Sequence, residues 1–459
     1  MKQYNAAYIF GITLVATLGG LLFGYDTAVI SGAEKSLQEY LIKPLHLSAF
    51  IHGATVSSAL IGCIIGGALS GFFSSCLGRK KSLLIASVLF FLSALGSAFP
   101  ETLFFTKGEA SLSLLMTFNL YRIVGGIGIG LASAICPMYI GEIAPAEIRG
   151  RLVSFNQFAI IFGMLVVYFV NWSIAHGQSV EWVNDLGWRY MFASAAIPAA
   201  LFGILLFMVP ETPRYLALSS KPVKALEVLT KINGKERALT IMQEIQASMQ
   251  TSPTKLLAYG PIVIIAGIMI CIFSQFVGIN VALYYAPRIF ESMGAAKDAS
   301  MMQTIIMGLV NVVFTVIAIM KVDKWGRKPL LITGSIGMAV GMFAISALAF
   351  FNIIGISTLM FIILYTASFM MSWGPMCWVL ISEIFPNKIR GKAIAIAVAA
   401  QWLANYLISS TYPPMMEFSS SMTYAFYGLM SVLSALFVWK VIPETKGKSL
   451  EEMEKVWEK

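Results

Sequence analysis

Residues 8–30 read YIFGITLVATLGGLLFGYDTAVI, and Asp26 is the only formal charge among them. About 20 apolar residues are enough to cross the hydrocarbon core of a bilayer. An ionised carboxylate near that depth costs at least about 2.5 kcal/mol on insertion scales. The stretch therefore predicts a membrane-spanning helix whose carboxylate has either a compensating partner or a function.

The whole chain has the composition of a polytopic membrane protein. Hydrophobic residues make up 58% of it, charged residues make up 12%, and the mean hydropathy is +0.78, whereas charged residues in soluble proteins run near about 25%. The net charge of +9 does not indicate nucleic-acid binding, because the basic residues lie in short clusters between apolar runs. The five cysteines have neither paired nor metal-ligand spacing, so they are interpreted as packing residues, and no cofactor or metal is expected.

Twelve apolar runs are long enough to span a bilayer. They cover approximately 8–30, 51–77, 82–99, 112–138, 153–172, 189–209, 259–285, 301–321, 329–350, 354–381, 391–411 and 422–442. With both termini in the cytoplasm, only six of the 32 basic residues fall on the outer side. This asymmetry predicts that both termini are cytoplasmic, because basic loops are retained on that side.

The two halves of the chain repeat one another. The stretch GEIAPAEIRG at 141–150 corresponds to SEIFPNKIRG at 382–391, and LGRK at 77–80 corresponds to WGRK at 325–328. Matched motifs in the same order indicate an internal duplication, and duplicated transporters hold their site between the halves. We therefore predict an all-α membrane protein with two pseudo-symmetric six-helix bundles. The expected division is 1–209 for the N-terminal bundle, 210–258 for a cytoplasmic linker with short amphipathic helices, 259–442 for the C-terminal bundle and 443–459 for a cytoplasmic tail.

Asp26 has one candidate partner of opposite charge. Arg122, in the fourth apolar run, is the only other formal charge set well inside a run. One interpretation is a buried ion pair that only holds two helices together. The other is a proton site, since ionisable groups inside membranes mostly mark functional paths. A conformational change that separates the pair or admits water would then change the proton affinity.

Several long amides interrupt the apolar runs. Taken singly, each amide is explained equally well as a cross-link between helices. Together with aromatic residues they are typical of a sugar site, because amides donate to and accept from hydroxyl groups while aromatic faces cover the C–H faces of the ring. The amides are Gln157, Gln275, Asn280, Asn311 and Gln401, and the aromatic residues are Trp378, Trp402, Phe23 and Tyr284.

Helix breakers lie next to two of these residues. Gly278 precedes Asn280 in the seventh run, and Pro375 precedes Trp378 in the tenth. A proline removes a helical hydrogen bond and kinks the chain, and broken spans mark gates and sites in transporters. The coincidence favours a gate or site over simple kinks.

Charged clusters on the cytoplasmic side occur in both halves. Such clusters are usually solvated, but their repetition predicts inter-helix ion pairs that close a cytoplasmic gate in one state and open in the other. The expected pairs are Glu142 with Arg149 and Arg151, Glu383 with Arg390, and Asp323 with Arg327, and the gate also includes Arg79. The first-half motif at 75–80 lacks the acidic residue that the second half has as Asp323, which predicts a weaker contact there.

Specific stretches over nearly the whole chain resemble the sugar-porter family of the major facilitator superfamily. They are GGLLFGYDTAVISG at 19–32, YR at 121–122, RG at 149–150, SFNQF at 154–158, PETPR at 210–214, QFVGIN at 275–280, SWGP at 372–375, CW at 377–378 and AQWLAN at 400–405. The resemblance implies the major facilitator fold, with Asp26 as the protonated carboxylate and Arg122 as its partner. It also implies that the sugar contacts are Gln157, Gln275, Asn280, Trp378 and Gln401, with Phe23 and Tyr284 lining or gating the site.

Within this family the chain is most similar to the proton-coupled D-xylose transporters of bacteria, which are related to the facilitative glucose transporters. It departs from their pattern at three positions. They carry two adjacent glutamines where this chain has Ser274 and Gln275, a glutamine at Met164, and, at Ala195, a glutamate thought to assist coupling. Because of Ser274 and Met164, D-glucose or another aldose remains an alternative substrate. Because Ala195 replaces the assisting glutamate, Asp26 and Arg122 have less help from other ionisable groups in binding and releasing the proton.

The resemblance and the residues together predict a proton-coupled symporter that imports D-xylose by alternating access. It is expected in a bacterial inner membrane, in contact with lipid, as a functional monomer with a proton as the coupling ion. An uncoupled facilitator is the first alternative, but it would have a neutral residue at the Asp26 position. An enzyme is not expected, because no nucleophile and base pair occurs within the spans and the three histidines lie in or beside the outer loops.

Overall fold

The computed structural model describes residues 4–102, 106, 109–145, 148–248, 256–257, 259–292, 296–353, 356–386 and 389–446. Within these ranges the secondary structure is helical and contains no strand. Twelve helical stretches are long and apolar enough to cross a membrane, which confirms the all-α class and the number of spans predicted from the sequence. The side chains of Arg151, Asp323 and Arg390 lie outside the part that the structure describes.

The first half of the chain folds into ten helices and two short π-helical segments. The helices are α1 (Ala6–Ala28), α2 (Ile30–Leu37), α3 (Ala49–Val56), α4 (Ser58–Cys76), α5 (Arg79–Ala98), α6 (Leu112–Ile143), α7 (Arg149–Ala175), α8 (Val180–Trp182), α9 (Trp188–Ser194) and α10 (Ala196–Leu206). The π-helical segments are Gln38–Ile42 and Val183–Gly187. Helices α1 and α2 with the first π-helical segment form one continuous span to Ile42, which is longer than the apolar run that predicted it.

Three short helices connect the halves, and nine more form the second half. The connecting helices are α11 (Pro213–Leu218), α12 (Pro222–Asn233) and α13 (Lys235–Ser248). The second half contains α14 (Pro261–Phe276), α15 (Ile279–Tyr284), α16 (Ala286–Ser292), α17 (Lys297–Trp325), α18 (Arg327–Phe350), α19 (Ile356–Met371), α20 (Trp373–Ile384), α21 (Arg390–Phe418) and α22 (Ser420–Val441). We call α1–α10 the N bundle and α14–α22 the C bundle.

Small residues bring the helices of the N bundle into backbone contact. A Cβ atom added at Gly62 of α4 would lie 2.0 Å from the carbonyl oxygen of Ile123, and one at Gly126 of α6 would lie 1.8 Å from that of Ala59. The hydrophobic effect contributes little to the association of helices in lipid, because the lipid tails are themselves apolar. Van der Waals contact at such close approach therefore stabilises the packing. The packing of α4 on α6 holds the helix that carries Arg122.

Two spans of the C bundle are broken inside the span, at Gly278 and at Ser372. Gly278 separates α14 from α15 with a left-handed backbone, φ +90°, a conformation that glycine adopts without steric cost. The second break lies at Ser372, before α20, and Pro375 falls in the first turn of α20. Proline is tolerated there because the first-turn N–H groups have no helical acceptor. The helix therefore breaks ahead of the proline, as the sequence predicted for this region.

The two bundles are in contact on one side of the membrane. Twelve spans place both chain ends on the same face, which we call the terminal face, and the opposite face is the far face. In the far half, the hydroxyl groups of Ser57 and Ser410 are 2.6 Å apart, and the Tyr168 hydroxyl donates to the Leu283 carbonyl at 3.2 Å. A Cβ at Gly53 would lie 2.2 Å from the Ser410 carbonyl oxygen. The far face is closed in this structure.

A buried ion pair stabilises the N bundle near the far face. Arg189 donates to both carboxylate oxygens of Glu101, at 2.8 Å and 2.6 Å, and the Tyr40 hydroxyl donates to the same carboxylate at 2.9 Å. Burial alone would raise the pKa of Glu101, but the hydrogen bonds and charge of Arg189 outweigh it and lower that pKa. The carboxylate is therefore ionised at neutral pH.

We expect Glu101→Gln to lower the free energy of unfolding at pH 7 by about 3–5 kcal/mol, because it leaves the buried Arg189 charge without its counter-ion. The folded pKa lies below the ordinary value of about 4.3, so the carboxylate stabilises the protein above that pH and loses this contribution as the pH falls through the folded pKa. Thermal unfolding in detergent from pH 7 to pH 3 measures this. The exposed Glu109 in the same loop is the matched control, and an equal effect of Glu109→Gln would contradict the assignment.

Candidate functional site: a polar cavity beside a buried ion pair

A cavity with about 670 Å³ of empty space, its open mouth included, lies between the two bundles. Helices α1, α7, α14, α15, α19, α20 and α21 contribute to its wall. The lining residues are Phe23, Thr27, Gln157, Ile160, Ile161, Met164, Ser274, Gln275, Ile279, Asn280, Leu283, Tyr284, Phe369, Met370, Trp373, Gly374, Cys377, Trp378, Gln401, Trp402 and Asn405.

The break between α14 and α15 presents a chain of polar groups to the cavity. The Asn280 amide donates to the Gln275 side-chain oxygen at 2.5 Å, and the Gln275 amide donates to the Ser274 hydroxyl at 3.0 Å. The Ser274 hydroxyl in turn donates to the Cys271 carbonyl at 2.7 Å. Each amide retains further donor or acceptor capacity for a bound molecule.

Gln401 and Trp402 of α21 contribute to the cavity wall. The side-chain oxygen of Gln401 and the indole nitrogen of Trp402 are buried and have no hydrogen-bond partner among the described residues. The indole nitrogen lies 3.9 Å from the Cβ position of Gly67 on α4. The ring of Trp402 lies 5.5 Å from that of Phe23 on α1, and this contact joins the two bundles across the cavity.

Tyr284 closes the wall on the far side of the site. It is 3% exposed, and its hydroxyl accepts a hydrogen bond from the Asn405 amide at 3.3 Å. The Ser409 hydroxyl donates to the Asn405 side-chain oxygen at 3.1 Å. This network fixes the ring where α15 meets α21, which is the lining or gating position that the family resemblance implies.

One of the amides predicted for the sugar site lies elsewhere. Asn311 on α17 is 2% exposed and its side-chain oxygen has no partner, but it does not line the cavity. Asn311 shares a buried polar face of α17 with Thr304 and Thr315, and that face does not reach the cavity in this structure. The apolar wall residues Ile160, Phe369 and Met370 were not predicted, because apolar side chains are common on every face of a membrane helix.

Asp26 and Arg122 form the ion pair that the sequence predicted. The Arg122 guanidinium donates to one Asp26 carboxylate oxygen at 2.9 Å and to the Asp26 carbonyl at 3.2 Å. The two residues are 2% and 1% exposed. The second carboxylate oxygen, Oδ2, has no hydrogen-bond partner within the part of the chain that the structure describes. Phe23 and Thr27 on the same helix line the cavity, so the ion pair lies about one helical turn from the substrate wall.

Glycine keeps space open beside the unpaired oxygen of Asp26. A Cβ at Gly125 would lie 3.7 Å from Asp26 Oδ2 and 2.3 Å from the Ser93 hydroxyl, which also lacks a partner. Arg122 lies 5.2 Å from the ring centre of Phe192, and Ala195 follows one helical turn after Phe192. Ala195, where the family resemblance implies a glutamate, is apolar and 3% exposed.

The ion pairs near the terminal face differ from those expected. Arg79 of α5 donates to Glu142 of α6 at 2.6 Å, and Arg327 of α18 donates to Glu383 of α20 at 2.8 Å. In this state, with the far face closed, Glu142 pairs with Arg79 and Arg149 is exposed, so the pairing of Glu142 with Arg149 stays a prediction for the other state. The predicted partners Arg151, Arg390 and Asp323 lie outside the described side chains. Each observed pair joins helices of one bundle.

The sequence Pro-Glu-Thr occurs at 210–212 and again at 443–445, and in both places the glutamate caps the N-terminus of a helix. Glu211 accepts backbone hydrogen bonds from the first residues of α5, and Glu444 accepts them from the first residues of α18. A carboxylate stabilises a helix N-terminus because the free N–H groups there carry partial positive charge. Burial dominates at Glu211 and raises its pKa. At Glu444 burial acts in the same direction, but the backbone donors outweigh it and lower the pKa.

Comparisons with known proteins find sugar transporters that match nearly the whole chain. The family model described as sugar (and other) transporter matches residues 12–457. The D-xylose-proton symporter of Escherichia coli (strain K12) is 55% identical, and the match covers 99% of this chain and 97% of that protein. The glucose facilitated diffusion protein of Zymomonas mobilis is 40% identical, with 97% of each chain covered.

Solved structures of a bacterial xylose transporter match the fold of nearly the whole chain. The inward-open conformation of the xylose transporter XylE from E. coli matches with a TM-score of 0.89 and 54% sequence identity, over 98% of this chain and 100% of that one. The proton:xylose symporter XylE bound to 6-bromo-6-deoxy-D-glucose matches with a TM-score of 0.84 and 53% identity, over 99% and 100% of the two chains.

Proposed function

The chain belongs to the sugar transporter family of the major facilitator superfamily, and on that premise we propose that it is a proton-coupled symporter that imports D-xylose by alternating access. One observation carries the proposal: a buried carboxylate with one free oxygen lies about one helical turn from a cavity lined by amides and aromatic rings. D-xylose added to unbuffered vesicles should alkalinise the medium. Uptake without proton movement would contradict the coupling.

The cavity chemistry supports a sugar as the substrate. Gln157, Gln275, Asn280 and Gln401 provide donors and acceptors from α7, α14, α15 and α21, which lie in different bundles. Hydroxyl groups of a sugar both donate and accept, so they can pair with amides on both sides at once. Trp378 and Trp402 provide apolar faces for the C–H groups of the ring. Binding between the bundles thus draws them together around the sugar.

The ion pair supports proton coupling. A proton on Asp26 removes the negative charge that holds the Arg122 guanidinium, so protonation weakens the contact between α1 and α6. Because Phe23 and Thr27 lie on the same stretch of α1, a shift of this helix also changes the cavity wall. One charge that moves through 100 mV provides about 2.3 kcal/mol, and a tenfold gradient costs about 1.4 kcal/mol. One proton per sugar is sufficient for more than tenfold accumulation.

A related hexose is the second candidate substrate. Met164 and Ser274 line the cavity at two positions where the related xylose transporters carry glutamines, and a relative at 40% identity is a glucose facilitated diffusion protein. Competition of labelled D-xylose uptake by pentoses and hexoses decides between them. Transport of D-glucose without transport of D-xylose would change the assigned substrate, while the assigned fold would stay the same.

We further propose a bacterial inner-membrane location, a functional monomer and cytoplasmic termini. The positive-inside asymmetry supports the orientation, and it makes the terminal face cytoplasmic and the far face external. The pairs Arg79–Glu142 and Arg327–Glu383 then stabilise the cytoplasmic end of each bundle while the far face is closed. Cysteine labelling of exposed positions from each side of sealed vesicles tests the orientation.

We expect Gly53→Leu to reduce sugar uptake by about tenfold or more. A side chain at Gly53 would overlap the Ser410 carbonyl, and overpacking of this kind costs about 1–3 kcal/mol. The cost falls only on the state with a closed far face, so the carrier would remain open to the outside. Gly71→Leu on the neighbouring helix α4 is the control, because nothing lies within 4 Å of its Cβ position. Equal uptake by the two variants would contradict the closing contact.

A further inference from the structure

A buried charged cluster joins the two bundles at the far face. Glu34 of α2 and His52 of α3 belong to the N bundle and are 1% and 0% exposed. Arg288 of α16 belongs to the C bundle, and its side chain is 33% exposed. The proposed sugar and proton sites use none of these residues. A buried carboxylate and a buried histidine at an interface between moving bundles require an explanation, since unpaired buried charge is costly.

Arg288 is the residue that connects the bundles. Its guanidinium donates to the Glu34 carboxylate at 3.2 Å and to the Gln38 side-chain oxygen. A second pair, between Lys35 and Glu291, crosses the same interface nearby, but the Lys35 side chain is 55% exposed. Exposed pairs contribute little, about 0–1 kcal/mol, whereas loss of one partner from a buried pair is strongly destabilising. Most of the electrostatic attraction across this interface therefore comes from Glu34 and Arg288.

The surroundings of His52 define its neutral tautomer. The Nε2 atom lies 3.2 Å from the Glu34 carbonyl and 3.2 Å from the Glu34 carboxylate, which are both acceptors. The Nδ1 atom lies 3.4 Å from the Arg288 guanidinium, which can only donate. Nε2 therefore carries the hydrogen and Nδ1 accepts from Arg288. A proton on Nδ1 would place an N–H group against the N–H groups of Arg288.

We propose that Glu34, His52 and Arg288 form a far-face latch that holds the carrier closed to the outside, and that protonation of His52 releases it. With neutral His52 the latch contains one negative and one positive charge, and all the facing groups are paired. With protonated His52 it has a net charge of +1 and opposed donors, so the closed state becomes less stable. Acidification of the external medium then favours the state that is open to the medium.

The other titratable groups around His52 do not duplicate this response. Tyr285, before α16, faces the imidazole edge-on at 6.5 Å between ring centres, and Tyr412 of α21 lies behind Tyr285 at 4.8 Å. Three ion pairs of greater exposure are also described in this half of the protein: Lys35 with Glu291, Glu39 with Lys43, and His176 with Asp298. Glu34 is the carboxylate in direct contact with the imidazole. Histidine is the residue type that ordinarily changes charge near neutral pH, and the position of His52 couples such a change to the Glu34–Arg288 contact.

Distance measurement between spin labels on the two bundles tests the latch. Labels on cysteines in place of Lys43 and Phe418 report the far-face opening, because both side chains are exposed, and Cys76→Ser removes the exposed native thiol. We expect Arg288→Met to raise the ratio of open to closed carriers by about tenfold, and the nearly isosteric Glu34→Gln to change it in the same direction. Lys35→Met is the matched control across the same interface, with an expected change of about twofold or less. Unchanged distances in both Arg288→Met and Glu34→Gln would overturn the latch.

The pH response is measured in the Asp26→Asn background, so that titration of the coupling site makes no contribution. The latch depends on the proposed alternating access, but these distances do not depend on sugar accumulation, so failure of the coupling and failure of the latch are distinguishable. A change from pH 7.5 to pH 5.5 should raise the open population several-fold when His52 is present. His52→Gln keeps an amide donor for Glu34 and does not titrate, so its distances should not respond to pH. An equal response in His52→Gln would exclude His52 as the releasing group.

Discussion

Asp26→Asn is expected to abolish uphill sugar uptake and to reduce the accumulation ratio from more than about tenfold to one. The asparagine has nearly the same shape and can still accept a hydrogen bond from Arg122, but it cannot bind and release a proton. The carrier then reorients without a proton, and the membrane potential no longer drives it. Accumulation of labelled D-xylose in energised vesicles, and alkalinisation of the medium on sugar addition, measure the loss.

Sugar exchange separates this effect from simple inactivation. Exchange of labelled for unlabelled sugar across the membrane needs the cavity and its gates but no net proton movement, so Asp26→Asn should retain it. Asp298→Asn removes an exposed carboxylate on α17, whose side chain is 56% exposed, and should leave accumulation unchanged. Uphill uptake that survives Asp26→Asn would remove this residue from the coupling mechanism and return the pair to a structural role.

Gln275→Met is expected to weaken sugar binding by about tenfold to a hundredfold. The methionine fills a similar volume in the cavity wall, but it neither donates nor accepts, so a sugar hydroxyl that pairs with Gln275 is left without a partner. Each unpaired polar group costs about 1–3 kcal/mol, and about 1.4 kcal/mol corresponds to a factor of ten. Binding of D-xylose to the purified protein, by calorimetry or by quenching of tryptophan fluorescence, gives the change in Kd.

Asn311→Leu is the matched control for Gln275→Met. Asn311 is also a buried amide in a membrane helix, but it lies outside the cavity. Its replacement should leave Kd about unchanged, while the melting temperature responds to the change in packing. Equal losses of affinity in the two variants would mean that the amides act through the stability of the bundles and not through contact with the sugar.

The sequence predicted the scaffold well because membrane insertion is governed by local composition. Each span is identified by its own run of apolar residues, and the bilayer thickness sets its minimum length. The partnership of Asp26 with Arg122 was predictable for a similar reason: two opposite charges set deep in otherwise apolar runs have few ways to avoid the cost of burial. The internal repeat predicted that the site lies between the two halves.

The sequence was less informative about which face of each helix turns inward. Asn311 and Gln401 are both amides in apolar spans, yet only Gln401 lines the cavity. Helices in lipid are apolar around their whole circumference, so the usual amphipathic pattern that reveals the buried face is weak. The repeated charges near the terminal face posed the same difficulty. Glu142 had several arginines as possible partners, and the packing of α5 on α6 selected Arg79.

The sequence by itself therefore determined the twelve spans, the duplicated halves and the ion pair of Asp26 with Arg122. Only the tertiary structure decided which amides share a cavity, that the far face is closed, and that His52 lies between Glu34 and Arg288 of opposite bundles. The physical reason is the range of the interactions. Transfer of a segment into lipid depends on that segment alone, whereas a contact between Glu34 and Arg288 depends on how two whole bundles meet.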